Sequence, residues 1–481
     1  MLKERLKSSA ILLLIVNLIL MTCVMWFDGS ATSVGNSIVR YVRTLPLVQN
    51  FFPITPEYSI SKKNLSMPRK FLINDGSLWM AYYNTDIGFS PIEQRTRKII
   101  KGFLEGDIVA VKQVDNSMWE AGLESLSIYV EYPVSFSMDM FCRIMGVDYD
   151  SAPSEIHSFH DLIILPSSEE TGICILVRSA EDENSIFAYM LDSKYILPSE
   201  DLSVYTTNDG YYEPAFSTGL LATAGKVSLS PLVLFSDSQP QTEVLYPQNL
   251  ISQQSRDKLL DNFSFNTLTV SPYEDVDGAL NYIANYGSAK IYPDSVFEYS
   301  AIEENKGILL DESGDAYNVL NSSIDFAEKT WLSVSDEPLS ILVTSDLSDY
   351  STEKPYTFKF DYYCNGRPVE IELPERFGHQ QMNCAIEMTV SNGRLISYRQ
   401  YMRSYDTVSH YTLSDTFVTA LDDFVNVLDE SSEKAVTIND IYIGYLDSGK
   451  EGEMQASWLA KTSDGKIYRY FPKAEVEDDE L

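Results

Sequence analysis

Apolar and polar positions are distributed very differently at the start of this 481-residue chain and over the rest of its length. Residues 10–27 form a run of 18 positions without a charged side chain, whereas the remainder alternates between short apolar and polar segments. At about 1.5 Å per residue, a helix over this run is about 27 Å long, which is close to the thickness of a bilayer core. The pattern therefore predicts one transmembrane helix over residues 10–27.

Charged and aromatic residues at the two ends of this run predict its orientation. Lys3, Arg5 and Lys7 precede it, and Trp26 lies near its far end. Positive charges are retained on the cytoplasmic side, and indole rings favour the membrane interface. We therefore expect residues 1–9 to be cytoplasmic and the bulk of the chain to be extracytoplasmic.

One amide lies in the middle of the predicted membrane helix. Asn17 is costly in hydrocarbon unless it has a partner, and hydrogen bonds between membrane helices contribute roughly 0.6–2 kcal/mol. We interpret Asn17 as facing another transmembrane helix, and a polar residue tolerated in a plain anchor is the alternative. The predicted interface includes apolar residues on nearby faces: Leu13, Leu20, Met21 and Val24.

Processing of the amino terminus is an alternative to an uncleaved anchor. Gly29-Ser30-Ala31 could serve a signal peptidase, although the apolar run exceeds the about 7–15 residues of a signal peptide. Cys23 stands where a lipoprotein cysteine would be, but Thr22 is a poor residue before it. The length of the run favours an uncleaved single-pass helix.

Periods of two and of 3.6 residues alternate along the exported region, which predicts an α+β fold with antiparallel sheets. Hairpins are expected at Asp75-Gly76, Asn365-Gly366 and Asn392-Gly393, because these dipeptides suit the positive φ angles of type I′ turns. Helices are expected over amphipathic segments: Pro91–Glu105, Gln253–Asn262, part of Ser313–Ser333, and Leu413–Leu428 with Ser414 as a cap. Strands are expected at 127–136, 162–165, 172–177, 185–191, around Leu268, and at 280–283, 289–291, 296–299, 438–445, 456–461 and 467–471.

Breaks in these patterns divide the exported part into a stalk, three α+β domains and a tail. The central and C-terminal domains are predicted to be structural repeats, because each has strand pairs followed by a helix. A polar segment, Ser236–Glu243, is expected to act as a linker. The predicted bounds are 28–66 for the stalk, 67–243 for the amino-terminal domain, 244–355 for the central domain, 356–472 for the C-terminal domain and 473–481 for the acidic tail.

Charge and cysteine content exclude some classes of protein. The chain has 36 basic and 70 acidic residues, a net charge of −34 that repels nucleic-acid phosphates, so we expect no nucleic-acid partner. Five cysteines are too few for a disulfide-dense scaffold. Cys364 and Cys384 could form an exported disulfide, but strands one and three of a meander are not adjacent, which argues against that pair.

Motifs for catalysis or metal binding are weak throughout the sequence. No G-x-S-x-G, Walker or H-E-x-x-H pattern occurs, and we expect no catalytic residues, metal or cofactor. His157 and His160 beside Asp161 could hold a metal, but a surface loop is the favoured interpretation. Asp275 and Asp277 suit a turn better than a calcium loop.

Scattered residues make the whole chain resemble the YycH family. The matching features begin with the basic start and the anchor ending in Trp26. Those further along the chain are Phe263, Glu274–Tyr282, Phe297-Glu298-Tyr299, Tyr362–Val369, Ile441–Tyr445 and Trp458. The C-terminal part also resembles YycI, the companion family, whose fold YycH domains share. YycH proteins are membrane-anchored regulators of an essential cell-wall two-component system of low-GC Gram-positive bacteria.

The resemblance implies regulation rather than catalysis. The implied partners are the sensor histidine kinase of the cell-wall two-component system, a YycI-type companion protein and the membrane. The expected function is modulation of the kinase through transmembrane and extracytoplasmic contacts. An exported envelope binding or assembly module unconnected to signalling is the alternative, and an anchored hydrolase is a third class.

Overall fold

A computed structural model describes most of the chain between residues 59 and 470. Gaps in the description fall at 77–78, 85, 87, 167–171, 183, 199–201, 203–213, 218–225, 231, 237–239 and 432–433. The α-helices of the described part are α1 Ile60–Leu65, α2 Phe89–Leu104, α3 Asn116–Glu124, α4 Met138–Met145, α5 Gln253–Asn262, α6 Ala316–Leu332 and α7 Phe417–Ser431. The predicted anchor at 10–27 lies outside the described residues.

Strands make up much of the described chain. Those of the amino-terminal half are β1 Lys70–Asn74, β2 Trp79–Tyr83, β3 Ile108–Val114, β4 Ser127–Ser137, β5 Ser158–Leu165, β6 Cys174–Ser179, β7 Ile186–Leu191, β8 Pro214–Ser217, β9 Val227–Leu229 and β10 Leu234–Ser236. The others are β11 Gln241–Asn249, β12 Tyr273–Glu274, β13 Leu280–Ile283, β14 Gly287–Ile291, β15 Val296–Ala301, β16 Ile308–Leu309, β17 Ile341–Val343, β18 Tyr356–Cys364, β19 Arg367–Ile371, β20 Ile386–Ser391, β21 Arg394–Tyr401, β22 Arg403–Thr412, β23 Val436–Asp447, β24 Met454–Gln455, β25 Ser457–Thr462 and β26 Ile467–Arg469.

The first sheet has nine described strands in the order β10-β8-β2-β1-β4-β5-β6-β7-β3. Its pairings are antiparallel, as the alternation of its strands predicts. Trp119 and Leu123 of α3 pack with residues on one face of the sheet, including Leu72 and Tyr129. The apolar stripe of α2 is buried in a separate, larger core cluster: Ile92, Ile99, Ile100 and Phe103.

The second sheet joins strands from the central and C-terminal regions. Its main path runs β12-β13-β14-β15-β21-β20-β18-β19-β23-β25-β26, and β22, β11 and β24 form a separate three-stranded sheet. Most pairings are antiparallel, but β19 and β9 each pair in parallel with β23. The predicted α+β fold with antiparallel sheets is thus confirmed for the described residues.

The three predicted hairpins all form. Asn365-Gly366 and Asn392-Gly393 are two-residue turns with positive φ at both positions (50° and 78°, 48° and 70°). The turn at Asp75-Gly76 differs, because Asn74 pairs with Trp79 and the connection therefore has four residues. The Asn74 carboxamide accepts a hydrogen bond from the amide of Gly76 in that connection.

Helix predictions hold apart from their ends. The predicted helix at Gln253–Asn262 has those bounds, and Ser252 caps it. The last helix begins at Phe417 rather than at Leu413, and the hydroxyl of Thr416 accepts a hydrogen bond from the amide of Thr419. The predicted cap at Ser414 is therefore wrong, because a threonine two residues later makes the capping contact.

Some predictions of local structure fail. Leu268 lies in a turn with 93% of its surface exposed rather than in a strand. Gln241–Glu243, at the end of the predicted linker, begin β11, which pairs along its length with β22. The structure also contains β3, α3 and α4, which the sequence patterns do not predict.

Candidate functional site

The residues predicted to act in the membrane lie outside the described part of the chain. They are Asn17, Leu13, Leu20, Met21 and Val24 of the predicted helix interface, and Lys3, Arg5, Lys7 and Trp26 at its ends. None of the helices in the described part has both the length and the apolar character that a membrane span needs. The membrane interface therefore remains a sequence-based prediction.

Four charged side chains meet where the first sheet contacts the second, and we call them the ionic junction: Arg69, Lys70, Glu131 and Asp440. The Lys70 ammonium lies 3.0 Å from Asp440 Oδ1 and 3.1 Å from Glu131 Oε2. Arg69 Nη2 lies 2.6 Å from Asp440 Oδ2, and Nη1 is 3.7 Å from Glu131 Oε1. Two positive charges thus face two carboxylates.

Strand register creates the junction. Lys70 and Glu131 are directly opposite each other in the antiparallel pair of β1 and β4. Asp440 comes from β23 in the second sheet, 370 residues further along the chain than Lys70. The guanidinium of Arg69 also lies 4.6 Å from the ring centre of Tyr442, two residues further along β23. The junction therefore fixes one position of β23 against β1 and β4.

Three of the four side chains of the junction are almost fully buried, and Arg69 keeps 23% of its side chain exposed. Only 1% of the Lys70 side chain, 9% of Glu131 and 6% of Asp440 are exposed. Burial alone lowers the pKa of Lys70, but Asp440 and Glu131 raise it above its ordinary value. Burial alone raises the pKa of Asp440, but Arg69 and Lys70 hold it below its ordinary value. All four groups are therefore charged at neutral pH.

A polar chain extends from the junction across the first sheet. The Tyr129 hydroxyl lies 3.4 Å from Glu131 and donates to Asp161 at 3.0 Å. Asp161 forms an ion pair with Arg178, whose guanidinium lies 4.6 Å from the ring centre of Trp119 on α3. These contacts connect β4, β5, β6 and α3 on one face of the sheet.

A second set of polar groups lies on the neighbouring strands of the second sheet. Glu370 of β19 accepts a hydrogen bond from the Tyr442 hydroxyl at 2.6 Å. Burial and the nearby Glu370 raise the pKa of Asp361 well above its ordinary value, although Asp361 accepts a hydrogen bond from the amide of Ala385. Burial lowers the pKa of Lys461. Polar and titratable side chains therefore lie on the second sheet as well as in the junction.

The weak metal-binding candidates from the sequence lie in or directly before a strand and in a turn. His160 and Asp161 lie in β5 rather than in the expected surface loop, because this strand begins at Ser158. The Asp275 carboxylate accepts hydrogen bonds from the amides of Asp277 and Ala279, as expected for a turn. The described residues contain no group of three histidine, cysteine or acidic side chains that could hold a metal ion.

The described cysteines are free thiols, including Cys364 and Cys384. Burial raises the pKa of Cys142 to about 12 and that of Cys174 to about 11, so both are protonated and weakly nucleophilic at neutral pH. Cys364 ends β18 and Cys384 lies two residues before β20, so the expectation that they belong to non-adjacent strands is wrong. β18 lies between β19 and β20 and pairs with both, so the sheet order is not that of a meander.

A separate buried pair joins His379 to Asp294. His379 Nε2 is 2.9 Å from Asp294 Oδ2, and Arg376 Nε donates to the same oxygen at 2.7 Å. Burial alone lowers the pKa of His379, but the hydrogen bond with Asp294 raises it above its ordinary value of 6.5. The imidazolium is therefore stabilised in the folded state, with Tyr292 packed against the ring.

This pair predicts a pH-dependent contribution to stability. Since the pKa of His379 is higher in the folded state, its contribution is complete below pH 6.5 and is lost as the pH rises through the raised value. We expect His379→Gln to cost about 1.5–3 kcal/mol at pH 5.5 and less at pH 8.5. Urea unfolding at both pH values measures this difference. His410→Gln, at an exposed site on β22, is the control, and an equal cost of His379→Gln at both values would contradict the assignment.

Sequence reasoning missed the ionic junction because its members are far apart along the chain. No motif links positions 69, 70, 131 and 440. The available indication was a charged residue inside an otherwise apolar strand, as with Glu131 in β4 and Asp440 in β23. Such residues are rarely buried unless they are paired.

Comparison with known proteins gives a match at the level of structure. No protein-family model matches the chain, and no curated protein matches it. The crystal structure of YycH from Bacillus subtilis superimposes with a TM-score of 0.53 at 12% identity, covering 84% of this chain and 96% of that chain. The chain has the YycH fold. An uncharacterized protein from Eubacterium rectale ATCC 33656 matches with a TM-score of 0.33 at 12% identity, over 52% of this chain and 92% of that chain.

Several residues that suggested the YycH family from sequence lie in the core, whereas Glu274–Gly278 lie at or near the surface. Phe263 is fully buried, and its ring centre lies 4.6 Å from that of Phe297 and 5.2 Å from that of Tyr398. Trp458 packs edge-to-face against Phe417 of α7 at 5.4 Å. The sequence resemblance is therefore confirmed for the fold.

Proposed function

We propose that this protein is a non-catalytic, membrane-anchored regulator that modulates a cell-wall sensor histidine kinase. The YycH fold over 84% of the chain is the observation that carries the proposal. The apolar segment at 10–27 supplies the predicted anchor, and the −34 net charge disfavours a role on nucleic acid. A YycI-type companion protein is the second proposed partner.

The proposed mechanism is a shift between two states of the kinase. A regulator changes their ratio only by the difference in its affinity for them. Moving a ratio of 1:99 to parity takes about 2.7 kcal/mol, which a few packed side chains and one amide hydrogen bond in the membrane can supply. The exported domains would add contacts outside the bilayer, where the ionic junction keeps the two sheets in one arrangement.

Asn17 provides the sharpest test of the membrane contact. We expect Asn17→Leu to weaken association with the kinase about three- to thirty-fold, which corresponds to the loss of roughly 0.6–2 kcal/mol. Co-purification of the two full-length proteins from detergent-solubilised membranes measures this change. Output of the two-component system, followed with a reporter gene, should change in the same cells.

A matched control changes the opposite face of the same helix. Ile15 is two residues from Asn17, about 200° around a helix, so Ile15→Leu should leave association unchanged. Equal association for wild type and Asn17→Leu would remove the proposed interface. Kinase output that does not respond to deletion of the whole protein would instead favour the envelope module unconnected to signalling.

A further inference from the structure

Positive charge is concentrated in the part of the described chain nearest in sequence to the predicted anchor. Residues 59–112 contain nine basic and five acidic residues, whereas residues 113–481 contain 22 basic and 62 acidic residues. The first segment therefore has a formal charge of +4 in a protein whose net charge is −34, but Arg69 and Lys70 within it face the carboxylates of the ionic junction. This asymmetry distinguishes one part of the molecule from the rest.

Helix α2 displays much of this charge on its surface. The buried face of the helix holds its apolar residues, including Ile92, Ile99 and Phe103. Arg95, Lys98 and Lys101 recur at spacings of three residues on the other side, where Lys98 is exposed and the other two are half-buried. We call these three residues the basic surface. The acidic side chain of α2, Glu93, is engaged by Arg97 at 2.6 Å.

Helix α1 adds a further exposed basic residue and an exposed apolar residue near α2. Arg97 of α2 donates a hydrogen bond to the hydroxyl of Ser66, the residue directly after α1. On α1, Lys63 is exposed and Ile60 keeps 43% of its surface exposed. An exposed lysine beside an exposed apolar residue is typical of surfaces that rest on a membrane.

The position of the predicted anchor in the sequence indicates that the basic surface binds the membrane. Only residues 28–58 separate the predicted membrane helix from α1, so the bilayer is the charged surface that the tether keeps at high effective concentration. The acidic remainder of the chain is repelled by anionic lipid, which favours orientations that turn the basic surface toward it. We propose that the basic surface docks on anionic lipid head groups of the membrane that holds the anchor. This inference rests on the anchor in the proposed function but not on the kinase.

The expected strength follows from general membrane electrostatics. Each Lys or Arg near an anionic surface raises the docked population roughly five-fold at physiological salt, and the effect decays over a Debye length of about 8 Å. Loss of two of the three residues should therefore reduce docking about 25-fold. Docking should also disappear when the salt concentration is raised to 0.5 M.

Amine footprinting of the full-length protein in nanodiscs tests the inference. One set of nanodiscs contains phosphatidylcholine alone, and the other contains about one third phosphatidylglycerol. We expect acetylation of Lys98 and Lys101, read by mass spectrometry, to be at least three-fold slower with the anionic lipid. Lys258 on α5 and Lys450, both exposed, should react equally in the two sets.

Paired variants separate a specific surface from overall charge. Arg95→Gln with Lys98→Gln should abolish protection of Lys101, whereas Arg256→Gln with Lys258→Gln on α5 removes the same charge and should preserve it.

Equal reaction of Lys98 and Lys101 in both nanodiscs, or equal slowing of all lysines, would overturn the proposal. Protection by 10 mM inorganic phosphate in phosphatidylcholine nanodiscs would also overturn it, since the site would then bind a free anion. Co-elution with the nanodisc checks the anchor, and kinase output is measured separately, so the two proposals fail independently.

Discussion

Replacement of Lys70 by methionine is expected to destabilise the folded protein by about 3–5 kcal/mol. The substitution preserves most of the side-chain volume but leaves the buried carboxylates of Glu131 and Asp440 with Arg69 as the remaining cation of the junction. Removing one partner of a buried ion pair lowers the free energy of unfolding by about 3–5 kcal/mol, because the other charge stays buried without its partner. Urea unfolding of the full-length protein in detergent, followed by tryptophan fluorescence, measures the loss.

A double variant distinguishes charge balance from packing. Asp440→Leu alone should cost a similar amount, but Lys70→Met with Asp440→Leu leaves one cation and one carboxylate, so its cost should be well below the sum of the two. Lys466→Met removes an exposed pair with Asp464, 2.9 Å long, and should change stability by less than about 0.5 kcal/mol. Additive costs in the double variant would show that the junction does not act as a unit.

Truncation of Phe263 to alanine should cost about 3–5 kcal/mol. Its ring is fully buried among Phe297, Tyr299, Phe326 and Tyr398, with ring centres 4.6–5.2 Å away. The variant loses the burial of a large apolar side chain and leaves a cavity between α5, α6 and the second sheet. Thermal or urea unfolding of the full-length protein measures the change.

Phe377 provides the same chemical change at an exposed position. It keeps 42% of its surface exposed in the loop before β20, so Phe377→Ala should cost less than about 1 kcal/mol. Similar costs for Phe263→Ala and Phe377→Ala would contradict the packing described for the second sheet. The far-ultraviolet circular dichroism of both variants should match that of the wild type under native conditions.

Features with local causes could be predicted from sequence. The turns at Asn365-Gly366 and Asn392-Gly393 form as expected, because the dipeptide itself determines the backbone angles. The amphipathic spacing of Ile92, Ile99 and Phe103 predicts α2 within two residues of its observed ends. In both cases the physical cause lies within about fifteen residues of sequence.

Features with distant causes could not be predicted in the same way. β3 is an edge strand whose residues 109–113 are all exposed, so it has no alternation of buried and exposed positions to reveal it. A strand is predicted around Leu268, but the structure leaves this residue exposed in a turn. β18, which ends at Cys364, and β20, which begins two residues after Cys384, are neighbours because β20 pairs with the side of β18 opposite to β19.

The candidate site belongs to the second group. The pairing of Lys70 with Glu131 depends on the register of β1 and β4, and the contact with Asp440 depends on how the two sheets meet. Glu131 and Asp440 are charged residues inside β4 and β23, but nothing in the sequence states which charges pair. Only the folded chain brings them together.

The 370-residue separation between Lys70 and Asp440 has a consequence for biosynthesis. Under the proposed export of this protein, one of the carboxylates that compensate the buried lysine of the first sheet would become available only when nearly the last strands have crossed the membrane. Such a late long-range contact slows maturation and leaves a half-translocated chain open to proteases. If the chain is exported as proposed, extracytoplasmic proteases would therefore remove incomplete copies before they could reach the proposed partner.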